Sequence, residues 1–202
     1  MIPTTCSRLH RMAFLLPLVL PALAGAHPGS DAGTHHDAAS AFIAGFVHPF
    51  TGLDHLAAMV ALGLWSGCVA RRAWPAPLAF VSMMVAGAIW GVAGITLPGL
   101  EPMIAASVLV LGLLAATRLH LPGWAGAALA GGFALFHGNA HGVELIASAQ
   151  AFMLLGMVVG SAVLIALGLA LARGAARRTP WLPRVGGLVL ALFGTVLLGA
   201  LA

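Results

Sequence analysis

Lysine and tyrosine are missing altogether from these 202 residues, and charged side chains make up only 7% of them. A soluble domain carries about 25%, so this chain has too little polar surface to coat a water-facing shell. Its two cysteines, Cys6 and Cys68, are too few and too far apart for a disulfide framework or a zinc knuckle. The pI of about 11.1 would suit a nucleic-acid binder. It arises, however, from nine arginines against five acids with no basic patch interleaved with aromatics, so no nucleic-acid partner is expected. What is present instead is 61% hydrophobic residues and a mean hydropathy of +1.04. The chain reads as an integral membrane protein whose solvent is the lipid bilayer.

Residues 1–26 open with Arg8 and Arg11, run through an apolar stretch from Met12 to Leu23, and close on Ala24-Gly25-Ala26. A positive start, a short apolar middle and a small-residue exit predict a signal peptide, cleaved after Ala26. A polar segment, 27–40, follows and carries His27, Asp31, His35, His36 and Asp37. It is either a solvated tail or a set of first ligands for an incoming cation. From Ala41 onward, apolar runs alternate with turn residues. A spanning helix needs about 20 apolar residues, and six runs qualify: Ala41 to Ser66, Pro77 to Leu97, Met103 to Thr117, Gly123 to His141, Gln150 to Ala172 and Val185 to Leu201. The expected fold class is therefore an all-α integral membrane protein, a six-helix bundle filling 41–202.

Arginine placement tests that count. With the mature N-terminus outside, the inner loops are 68–75, 118–122 and 173–184. Arg71, Arg72, Arg118, Arg173, Arg177, Arg178 and Arg184 all fall in or beside them, while Asp31, Asp37 and Glu101 lie on the other side. Both termini are then periplasmic in a bacterial inner membrane, which satisfies the positive-inside bias. Trp65, Trp74, Trp124 and Trp181 sit near the inner ends and read as interface anchors.

An ionisable group inside a span costs about 2.5 to 3.5 kcal/mol on insertion scales and usually faces a cavity or a partner. Here such groups occupy two spans only. The first contains His48, Asp54 and His55; the fourth ends in His137, His141 and Glu144. At 100° per residue, His137, His141 and Glu144 fall at i, i+4 and i+7, on one stripe. Two imidazoles and a carboxylate suit a divalent ion of borderline softness, such as Ni, Co, Zn or Fe, rather than Ca or Mg. An unbroken helix would hold His48 and His55 about 10 Å apart along its axis. Pro49, which lacks an N–H, and Gly52 predict a kink or an unwound stretch between them, and such a break would let His48, Asp54 and His55 converge. Glycines at 131, 132, 138 and 142 are expected to let the helix backbones approach. Small-residue pairs of this kind are common in membrane bundles and leave a homo-oligomer open.

At these residues the sequence resembles the HupE/UreJ group of hydrogenase and urease accessory membrane proteins, regarded as nickel and in some members cobalt permeases. The resemblance rests on His48-Pro49-x-x-Gly52-x-Asp54-His55, followed by Met59 and Gly63-x-Trp65. It rests equally on His137-Gly138-x-Ala140-His141-Gly142-x-Glu144, and it extends over nearly the whole chain. It implies roles in metal selection or passage for His48, Asp54, His55, His137, His141 and Glu144. The His-x5-Asp-His arrangement is also similar to the His-x4-Asp-His signature of the larger nickel/cobalt transporter family.

The function expected is a secondary permease importing Ni2+ or Co2+ to supply urease or hydrogenase maturation. The metal is cargo, and no resident cofactor is expected. Motif-bearing spans stand first and fourth of six, so a 3+3 inverted repeat is a further expectation. The competing class is a membrane metalloenzyme of the di-iron His-box type, which needs several His boxes where one is found. His-Glu-x-x-His and Gly-x-Ser-x-Gly are both missing. A third class is a metal sensor or scaffold without transport.

Overall fold

A computed structural model of the chain describes residues 38–69, 73–144 and 150–201, with the backbone alone for 176–178. The expected leader, His27, His35, His36, Arg71 and Arg72 lie outside that range. Among the described residues there are seven helices and no strand: α1 (Ala38–Thr51), α2 (Leu53–Val69), α3 (Pro75–Val92), α4 (Leu100–Thr117), α5 (Gly123–Glu144), α6 (Gln150–Arg178) and α7 (Leu182–Ala200).

The expected first span is two helices, α1 and α2, bent by 79° across Gly52. Pro49 is accommodated inside α1, and the break falls three residues later. There the Thr51 hydroxyl donates to the His48 carbonyl at 2.7 Å, and the Gly52 carbonyl starts α2 by accepting from Leu56 N–H at 2.9 Å. Four helices, α3, α4, α6 and α7, are each long and apolar enough to cross a bilayer, and the α1–α2 pair passes together as a fifth. At 22 residues, α5 is about 33 Å long. That is sufficient length, but its glycines, His137, Asn139 and His141 dilute its hydropathy.

Other boundaries moved for local reasons. The second span stops at Val92, short of Leu97, because Gly94 (φ 81°) and Gly99 (φ 73°) take left-handed conformations that bracket the α3–α4 connection. The fifth runs past Ala172 to Arg178, since Ala and Arg are strong helix formers regardless of charge.

The most enclosed helix is α2. Ten of its residues are buried, including an unbroken run from Ala61 to Ser66, as expected of a helix apolar on all sides. By contrast α7 buries only Pro183, Gly187, Ala191 and Gly194, a single stripe. The outward faces carry exposed Ile43, Leu78, Ile89, Leu113, Leu171 and Leu192. This apolar exterior, with several spanning-length helices, is that of a multi-pass membrane protein.

Helices touch backbone to backbone where glycines remove side chains. A Cβ at Gly138 would run into the Met84 carbonyl, with Ala88 N at 2.9 Å, and one at Gly91 would stand 2.6 Å from Asn139 O. These contacts bind α5 to α3. Gly45, Gly156 and Gly160 do the same between α1 and α6, and Gly112, Gly187 and Gly194 between α4 and α7. The expected role of Gly138 and Gly142 is thus redirected: they seat α5 against α3, on the side away from α1 and α2. Gly132 faces open space.

Gly138→Ala is therefore expected to destabilise the protein by about 1–3 kcal/mol through overpacking. Gly132→Ala is expected to be neutral or to gain up to about 1 kcal/mol of helix propensity. Thermal unfolding midpoints of the two purified variants check this, and the opposite ranking would contradict the α3–α5 contact.

Candidate metal site

The break at Gly52 brings the C-terminal end of α1 and the N-terminal end of α2 against the polar stripe of α5. His48 ends α1, Asp54 and His55 begin α2, and His137, His141 and Glu144 occupy successive turns of α5. The six side chains predicted from sequence form one continuous cluster in two tiers, joined by His141.

In the more exposed tier, His48, His141 and Glu144 each offer a ligand atom, all within 4.8 Å of one another. His48 Nε2 and Glu144 Oε2 are 3.7 Å apart, with side chains 30% and 42% exposed. Donors bound about 2.1 Å from one ion can stand at most about 4.2 Å apart. A pair as wide as 4.8 Å must therefore draw in by about 0.6 Å to sit trans across an ion, and by roughly 1.4 to 1.8 Å to sit at tetrahedral or cis spacing. The His48 and His141 rings meet edge to face with centroids 4.8 Å apart.

The deeper tier is reached through His141, whose ring lies 4.4 Å from that of His55. His55 in turn faces His137 at 4.7 Å and 88°. His55, His137 and His141 are all buried, His137 completely, and the Phe80 ring of α3 lies tilted beside His137 with centroids 5.6 Å apart. Asp54 acts through its neighbour: its Oδ1 accepts from both the backbone N–H and Nδ1–H of His55, each at 2.8 Å. With Nδ1 holding the proton, His55 Nε2 carries a lone pair, and it is buried with no hydrogen-bond partner. This is the carboxylate–histidine arrangement that orients metal-binding imidazoles. Asp54 also offsets the positive N-terminal end of α2, which would otherwise repel a cation. Gly52 leaves room for the motif, since a Cβ there would sit 3.2 Å from Asp54 Oδ1 and 3.4 Å from His55 Nδ1.

Asn139 shares the α5 segment but faces the other way. Its Oδ1 accepts from Leu97 N–H at 2.8 Å, and its Nδ2 donates to the carbonyls of Ile95 (2.7 Å) and Gly87 (3.3 Å). It staples the α3–α4 connection to α5. Two residues of this region were not singled out in the sequence. Phe80 gave no signal among many apolar residues. Ser107 of α4 did give one, as a hydroxyl halfway along a helix whose other polar side chains, Glu101 and Thr117, stand at its ends, and its Oγ lies 2.8 Å from His137 Nε2.

At the opposite end of the bundle, Trp65 is buried and donates from Nε1 to Leu119 O at 2.9 Å. It locks α2 to the α4–α5 connection and is not the interface anchor its position predicts. Trp74, Trp124 and Trp181 are exposed at that end, as anchors should be. Arg118 Nη2 donates to the Pro180 carbonyl, tying two connections of that face together. Met59, Met84 and Met157 are fully buried in helix packing.

An all-helical membrane protein with imidazoles and carboxylates gathered inside it is the class that fold and site define. The chain belongs to the HupE/UreJ family: the family described as HupE / UreJ protein matches residues 15–197. It is similar to Protein HupE of Rhizobium leguminosarum bv. viciae, with 40% identity over 189 residues that cover 91% of this chain and 94% of that protein. No solved structure matches the chain.

Asn139→Ala should release the α3–α4 connection while leaving the histidine stripe in place. Losing bonds to a buried amide costs about 1–3 kcal/mol, equivalent to roughly 5- to 150-fold. Hydrogen exchange at residues 94–99 should quicken by a factor in that range, and unchanged exchange there would show that the staple is idle.

Proposed function

We propose that the protein is a secondary permease that moves Ni2+, with Co2+ as the related alternative, into the cytoplasm to supply a nickel enzyme such as urease or hydrogenase. The observation that carries this reading is the two-tier cluster: a partly exposed imidazole–carboxylate triad leads through His141 to bare imidazole nitrogens buried among membrane helices. Each tier replaces part of the ion's water shell. Glu144 and Asp54 supply negative charge where an unpaired ion would cost several kcal/mol. HupE/UreJ proteins are regarded as accessory transporters rather than enzymes, which agrees with a site built for passage.

In this reading α5 is a sixth span beside α3, α4, α6, α7 and the broken α1–α2 pair, preceded by a cleaved leader. The arginine-bearing end faces the cytoplasm and the open triad faces the periplasm of a bacterial inner membrane. There an inside-negative potential of 100 mV favours inward movement of a divalent ion by roughly 4.6 kcal/mol, at about 2.3 per charge. That exceeds three powers of ten in concentration, so no nucleotide hydrolysis is required.

Helix pairing supports the inverted repeat. Exchanging first span with fourth, second with fifth and third with sixth carries the α3–α5 pair onto the α6 packing against α1 and α2. It returns α4–α7 to itself and relates α4–α5 to α2–α7. The contact of α2 with α4 lacks a counterpart of similar extent, as does the break at Gly52.

Accumulation of 63Ni2+ in cells expressing the full chain tests the permease. His141→Ala, which removes the residue common to both tiers, is expected to reduce the uptake rate at least tenfold at equal expression. Uptake equal to that of empty cells for the unaltered protein would defeat the reading. Competition with unlabelled Co2+ and Zn2+ ranks the cargo, and Co2+, which takes the same nitrogen and oxygen donors as Ni2+, is expected to compete.

A further inference from the structure

We propose that Ser107, on α4, is a positioning residue for the inner tier: it fixes His137 in the tautomer whose Nδ1 lone pair is left free for an ion. This rests on the permease reading above and assigns a role to a helix that carries none of the motif residues. Ser107 and His137 are both completely buried. The Ser107 hydroxyl donates its only hydrogen to the Ile104 carbonyl at 2.6 Å. Toward His137 Nε2, 2.8 Å away, Oγ can then only accept, so Nε2 must carry the proton. His137 Nδ1, buried and without a hydrogen-bond partner, is left with a lone pair. Asp54 imposes the complementary choice on His55, holding the proton on Nδ1 and baring Nε2.

The two perpendicular rings therefore present opposite nitrogens, each fixed by a hydrogen bond behind it. A neutral imidazole left alone exchanges its proton between the two nitrogens. A ring that turns N–H toward a cation repels it and cannot ligate. Metal-binding histidines generally donate their other nitrogen to a carboxylate, carbonyl or water, and loss of that partner typically costs 10–100-fold in affinity or activity. A serine hydroxyl already committed to the backbone of its own helix serves the same purpose without adding a charge to the membrane interior.

The test uses the full-length protein in lipid bilayers with 15N-labelled histidine, and Co2+ as the probe ion. Imidazole 15N resonances, assigned by their loss in His137→Ala, should show His137 protonated on Nε2 in the metal-free protein. In Ser107→Ala the same ring should show a tautomer mixture, and Ser107→Thr, which keeps the hydroxyl, should restore the single form. The half-saturating Co2+ concentration, read from the visible d–d bands, should rise 10- to 100-fold in Ser107→Ala. Adding Ser107→Ala to His137→Ala should produce no further loss. The proposal is overturned by a protonated Nδ1 in the unaltered protein, by an unchanged tautomer in Ser107→Ala, or by effects of the two substitutions that simply multiply. Co2+ binding unaffected by His137→Ala would remove both the inner tier and this role. Binding lost in His137→Ala but intact in Ser107→Ala would remove the Ser107 role alone.

Discussion

The single interruption between α1 and α2 governs what the rest of the molecule can do. In a continuous helix His48 and His55 would stand about 10 Å apart along the axis, and only one of them could meet a given turn of α5. The 79° bend at Gly52 turns two helix ends toward one place and sets both imidazoles against His141, at 4.8 and 4.4 Å. Interrupted backbone inside a membrane is tolerable only where protein or a water-filled cavity covers it. Here Thr51 occupies the His48 carbonyl, and the Asp54 carboxylate is taken up by its neighbour. The break is thus hydrogen-bonded locally, and the nitrogens left bare belong to the imidazoles.

Close helix packing makes the polar stripe affordable in an apolar protein. With little hydrophobic driving force between helices in lipid, association depends on van der Waals contact and hydrogen bonds. The glycines of α5 meet α3 at backbone distance, and Asn139 adds bonds to the α3–α4 connection. One face of α5 is therefore committed to stability, which frees the opposite stripe for His137, His141 and Glu144. Division of one helix into a packing face and a chemical face also explains its low hydropathy.

Much of this was legible in the sequence. The confinement of His48, Asp54, His55, His137, His141 and Glu144 to two segments, together with helical periodicity, gave the cluster and its elements, because an ionisable group in a membrane helix rarely lies there without a partner. Pro49 and Gly52 flagged the interruption, though its position was set by glycine: proline's ring is tolerated within α1, whereas Gly52 must admit Asp54 and His55 folded back over it. Three-dimensional neighbours were not legible. Which helix receives Gly138, which way Asn139 points, and that Trp65 is buried all depend on partners distant in the chain. The tier structure is of the same kind, since periodicity places residues on a stripe but says nothing of how far a second helix leans toward it.

The central claim, that imidazoles from both segments share one divalent ion, is tested most directly by Ni K-edge X-ray absorption on the full-length protein in bilayers loaded with one equivalent of Ni2+. The account predicts nitrogen and oxygen scatterers at about 2.1 Å, with the outer-shell pattern of more than one imidazole, weakened separately by His48→Ala and by His141→Ala. A shell of water alone, sulfur scatterers at about 2.3 Å, or a spectrum indifferent to both substitutions would contradict it.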